Sequence, residues 1–71
     1  MNDDLIKAIR VLASSDRPTS VTRIKKLKEM TGLNDAFLRI SLIELQAKGY
    51  LDIVYYKNKI KRIILTTNFP Q

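Results

Sequence analysis

The run from Ile24 to Leu51, IKKLKEMTGLNDAFLRISLIELQAKGYL, constrains the fold more than any other part of this chain. Ile24 and Leu27 mark one apolar face at helical spacing, with Met30 expected to join them, while Lys25, Lys26 and Glu29 face water. Gly32 follows where a helix C-terminus needs a left-handed residue, a conformation that glycine adopts at little cost. Leu33 plugs the turn, Asn34 is placed to cap the next helix, and Asp35 complements its dipole. Leu38, Leu42 and Leu45, spaced by four and three, give that helix its core stripe, and Gly49 ends it as Gly32 ends the previous one. A period of two begins at once: residues 50–56 and 60–66 are β-branched and aromatic runs joined by Lys57, Asn58 and Lys59, with Asn58 best suited to positive φ. Two helices and a strand pair so tightly joined leave few ways to arrange them.

Residues before this run predict a further helix over about 3–15. Asn2 is its candidate N-cap, Asp3 and Asp4 suit its first turn, and Leu5, Ile6, Ile9, Leu12 and Ala13 form its apolar face. Pro18 disfavours helical geometry in the residue before it and closes this element. Residues 19–21 read as a short extended stretch or minor strand, with Thr19 or Ser20 available to cap the second helix, expected over about 22–31. The third is expected over about 35–48. Residues 67–71 read as a tail in which Phe69 either closes the core or meets a partner. The class is α+β: three helices and a C-terminal β-hairpin, in one domain over residues 1–71.

With 71 residues and 45% of them hydrophobic, the chain can bury a small core, about 60% of its unfolded surface. It has no Cys and no His, so disulfides, thiol nucleophiles and imidazole chemistry are excluded. Its seven acids fall mostly at caps or exposed helical positions, with no phosphate-cradling glycine loop and no metal-ligand cluster. An enzyme, a cofactor, a metal site and a small-molecule ligand are therefore not expected. No apolar run approaches the roughly 18 residues of a membrane span, and no signal peptide precedes the first helix. A soluble, cytoplasmic protein is expected.

The net charge is +6, and it is unevenly placed. Asp3, Asp4 and Asp16 balance Lys7, Arg10 and Arg17 in the first 20 residues. The excess lies in the helix pair and in the hairpin, where Lys57, Lys59, Lys61 and Arg62 cluster. Such a surface attracts polyanions, nucleic acid first; a merely solvated basic face is the plainer alternative.

The stretch Thr31-Gly32-Leu33-Asn34, the stripe Leu38, Leu42 and Leu45, the exit Ala47-Lys48-Gly49-Tyr50-Leu51 and the pair Leu65-Thr66 together resemble the helix-turn-helix of small winged-helix transcriptional regulators. They are similar to bacterial and archaeal repressors of the multiple-antibiotic-resistance and arsenical-resistance type. The resemblance covers about residues 20–66 and implies a double-stranded DNA-binding regulator of transcription, with the third helix in a major groove and the hairpin as a wing. A homodimer on paired half-sites is expected, because one module makes few contacts. Two departures stand out. Lys28 occupies a position where the family buries a small residue, so its stem must snorkel outward. The face carrying Asp35, Ala36, Phe37, Arg39, Ile40, Ile43 and Glu44 is far more apolar than the family's base-reading faces.

Base-reading candidates under this resemblance are Asn34, Asp35, Phe37, Arg39, Ile40 and Ser41: Arg39 for a guanine edge, Phe37 or Ile40 for a thymine methyl, Asn34 and Ser41 for phosphate or base. Phosphate candidates are Arg23, Lys25 and Lys26 on the second helix, and Lys57, Asn58, Lys59, Lys61 and Arg62 on the hairpin. The alternative function is a protein-docking module that uses the apolar face of the third helix. Tyr55 and Tyr56, adjacent in a strand, are expected on opposite faces, one in the core and the other half exposed.

Overall fold

The computed structural model describes residues 3–14 and 18–70. Along the chain these form α1 (Asp3–Leu12), β1 (Ser20–Val21), α2 (Ile24–Thr31), α3 (Asp35–Ala47), β2 (Leu51–Tyr56) and β3 (Lys59–Leu65). The strands make one antiparallel sheet in the order β1-β3-β2. The fold is thus α+β, with three helices and a three-stranded sheet, compatible with a winged-helix layout. The expected hairpin is completed by β1, whose Val21 pairs with Ile63 and whose Ser20 pairs with Ile64.

Helix α1 buries Leu5, Ala8, Ile9 and Leu12, the i, i+3, i+4, i+7 series. The expected face had included Ile6 and Ala13, which are only half-buried. The helix also stops at Leu12 rather than near residue 15. The Ser14 N–H donates to the Ser20 carbonyl at 2.8 Å, which turns the chain toward β1. Asn2, the expected cap, lies outside the described residues, as does the end of the expected helix at residue 15.

Helix α2 starts at Ile24, two residues later than expected, because Ser20 and Val21 are held in the sheet. Its N-cap is Arg23, with no side-chain cap; neither Thr19 nor Ser20 serves. Leu27 is buried, whereas Met30 is 42% exposed, a correction to the expected core face. Thr31, one turn beyond Leu27, takes the inward position, and its hydroxyl donates to the Leu27 carbonyl at 2.9 Å. The helix ends on Gly32 (φ 71°), whose N–H donates to the Lys28 carbonyl at 2.8 Å, a single left-handed closure.

Helix α3 is capped by Asn34, whose side-chain carbonyl accepts from the Phe37 N–H at 2.8 Å. It buries Leu38, Leu42 and Leu45 as its spacing predicts. Its last turn closes with two bonds: Gly49 N–H to Gln46 carbonyl at 2.9 Å and Tyr50 N–H to Leu45 carbonyl at 3.1 Å. Gly49 has φ 79°, so the two glycines share a conformation but belong to different capping patterns.

The hairpin turn comprises Lys57 and Asn58 alone, both at positive φ (51° and 66°), while Lys59 already pairs with Tyr56. Two positive φ values match a primed turn, whose twist suits the flanking strands. The register slips between Val54–Arg62 and Tyr55–Ile60, leaving Lys61 as the extra residue of a bulge. Leu51, Ile53, Ile63 and Val21 share the inner face with Tyr55, but both tyrosines are exposed, at 47% and 58%. Neither ring is covered at this end of the hairpin, so alternation there does not bury them.

The last segment is part of the fold. The Thr66 hydroxyl lies 2.6 Å from the Gly49 carbonyl and 2.9 Å from that of Tyr50, and the Thr66 N–H donates to the Tyr50 carbonyl at 3.0 Å. These bonds fasten residues 66–70 to the α3–β2 corner and deliver Phe69, 4% exposed, into the core. Of the two roles open to Phe69, core closure is the one it fills.

Candidate nucleic-acid interface

Helix α2, the first half of α3 and the hairpin tip meet around a groove of about 490 Å³. Its floor is Ile24, Leu38 and Ile60, and its rim carries Lys25, Lys28, Asp35, Arg39, Asn58 and Lys59. Four cationic side chains and a single carboxylate thus line the groove. Lys28 Nζ lies 2.6 Å from Asp35 Oδ1, bridging the Gly32 turn. Its half-buried stem runs outward to this ion pair, which is how the lysine at the helix crossing is accommodated.

The Asp35 carboxyl is held below its ordinary pKa of 3.8, first by the Lys28 hydrogen bond and then by the Lys28 charge, opposed by desolvation, with Lys59 and Arg39 lowering it by still smaller contributions. A depressed folded-state pKa means that the pair's stabilisation is complete above the unfolded value and fades as pH falls through the lower folded one. Carboxyl-carbon NMR titration should therefore give Asp35 a midpoint below that of an unstructured aspartate, and Lys28→Met should move it upward. An unmoved midpoint would remove Lys28 as the cause.

The Arg39 guanidinium donates to the Asn58 backbone carbonyl at 2.8 Å. In a two-residue turn that carbonyl has no ladder partner, so it is free to accept. Arg39 thereby ties the hairpin tip to α3. A second tie, unforeseen in the sequence, is Gln46, whose side-chain oxygen accepts from the Ile53 N–H at 2.9 Å.

The expected site residues fall into distinct groups. Lys25, Lys59, Arg39, Asn58 and Asp35 converge on the groove. Asn34 is spent on the helix cap, and Ser41 is half-buried. Phe37, Ile40 and Ile43 are 60%, 53% and 45% exposed, and form the outward face of α3. Arg23 stands exposed at the N-cap of α2 and Lys26 on the helix itself, Lys26 loosely opposite Glu29 at 3.9 Å. The four hairpin bases do not act as one cluster. Lys57 and Lys61 place their Nζ atoms 5.4 and 5.3 Å from the centre of the Tyr56 ring, within cation–π range. Arg62 pairs with Val54 on the outer sheet face, away from the core. The groove, with Lys28 as a member, was missed; its trace in the sequence is a lysine and an aspartate flanking a glycine turn.

Among the described residues no three His, Cys, Asp or Glu side chains come together as metal ligands, and no helix is long and apolar enough to cross a membrane. Compared with protein-family models, curated proteins and solved structures, the chain matches none of them.

Proposed function

We propose that this chain is a winged helix-turn-helix protein that binds double-stranded DNA and regulates transcription. Helix α3 lies in the major groove and the β2–β3 hairpin acts as the wing against the neighbouring backbone. The observation that carries this reading is the convergence of Lys25, Lys28, Arg39 and Lys59 on one groove, beside a helix face open to solvent. Cations drawn from three elements onto one edge form a positive rim for phosphates, which gives affinity and register without reading sequence. A single module offers few contacts, so two copies on paired half-sites complete the reading.

Binding of labelled duplexes by the parent, Lys25→Ala and Lys59→Ala tests it. Each replacement should weaken every sequence alike and reduce the slope of log affinity against log salt by about one. Parent-like binding by both variants at all salt concentrations would reject this interface. The exposure of Phe37, Ile40 and Ile43 favours a second reading, a protein-docking module. That reading expects negligible duplex binding even at low salt.

A further inference from the structure

The centre of the outward face of α3 is hydrocarbon. At 3.6 residues per turn, Ala36, Ile40 and Ile43 lie opposite the buried Leu38, Leu42 and Leu45, with Arg39 on the flank toward the hairpin and Phe37 on the other. Several polar side chains around this face already hold one partner each. The Asn34 carbonyl holds the helix cap, Asp35 holds Lys28, Arg39 holds the Asn58 carbonyl, and Gln46 holds Ile53. Ser41 is half-buried, and the exposed Glu44 carries a charge that phosphates repel. What stands clear at the centre is hydrocarbon: Ile40 and Phe37, with Ile43 beside them.

In a B-DNA major groove the apolar feature of the base pairs is the thymine 5-methyl group. The cationic rim beside this face complements phosphate walls, which is why the occupant is a duplex and not an uncharged protein surface. Resting on the duplex-binding reading above, we propose that Ile40 and Phe37 contact thymine methyls, so that A·T-rich major grooves are the preferred target. Arg39 is then a positioning residue that sets the hairpin against α3, and discrimination among sequences is by methyl contact.

A duplex of A·T pairs is compared with the same duplex carrying deoxyuridine for thymidine. Charge and hydrogen-bonding edges are identical, and only the 5-methyl groups differ. Each buried methyl contributes roughly fourfold in affinity, so with one methyl under each side chain the parent should prefer the thymine duplex by about sixteenfold. Ile40→Ala, at a position outside the core, should bring that ratio down to about fourfold, the share left to Phe37. Equal affinity of the parent for both duplexes overturns the proposal while leaving salt-dependent duplex binding intact. So does a ratio unchanged in Ile40→Ala, which would trace the preference to the duplex itself. Failure to bind either duplex at low salt overturns the duplex-binding reading as well. A dimer in sedimentation that Ile40→Ala dissolves, with the ratio unchanged, would assign the face to a second copy of the chain.

Discussion

Phe69→Ala should destabilise the fold by about 3–5 kcal/mol, the usual cost of emptying a buried aromatic site. A domain of this length has a total stability of about 4–10 kcal/mol, so this one truncation near the C-terminus removes a large share of it. The thermal midpoint should fall by more than about 12 °C, and Phe69→Leu should recover most of the loss. The size follows from the geometry: Phe69 is 4% exposed and is delivered to the core by Thr66, bonded to Gly49 and Tyr50. Urea unfolding of the three proteins checks it. A loss under about 1 kcal/mol for the alanine variant would mean that the core is sealed without this ring.

Raising salt from about 50 to about 200 mM should weaken duplex binding roughly a hundredfold, if about four phosphates are neutralised. That count corresponds to the four groove bases Lys25, Lys28, Arg39 and Lys59, not to every cation in the chain. Lys57 and Lys61 sit on the Tyr56 ring, Lys26 is opposite Glu29, and Arg62 is on the outer sheet face. A fluorescence-anisotropy titration at four or so salt concentrations gives the slope directly. A flat profile would remove phosphate neutralisation as the source of affinity, and with it the reason for treating the groove as an interface.

Local chemistry was the part of the structure that could be read from the residues. Gly32, Asn34 and the Leu38, Leu42, Leu45 stripe occupy the roles their spacing predicts because capping and amphipathic burial depend on near neighbours. The minor strand was legible as an extended stretch, though not its partner β3, which lies more than forty residues away. Met30 was misassigned because the inward face of α2 follows Ile24, Leu27, Lys28 and Thr31, the i, i+3, i+4, i+7 series, and Met30 lies outside it. The tyrosines were misassigned because alternation says which face a residue takes, and not whether anything covers that face at the hairpin end. The ties that build the candidate site, Arg39 to Asn58 and Lys28 to Asp35, join separate elements through long flexible side chains. Their pairing depends on how helices and hairpin are oriented in space, which no spacing rule encodes.

The sheet order β1-β3-β2 has a consequence for colloidal behaviour. β2 is an edge strand, and among the described residues β1 and the preceding Thr19 cover only the Ile63–Leu65 end of β3 on the other side, so both margins invite a foreign strand to zip on. Gln46 occupies the Ile53 donor on one margin, and the bulge at Lys61 among Lys59 and Arg62 roughens the other. A fibril growing by strand addition would have to evict an amide from the first margin and stack like charges along the second, so these contacts act as gatekeepers against amyloid-type assembly.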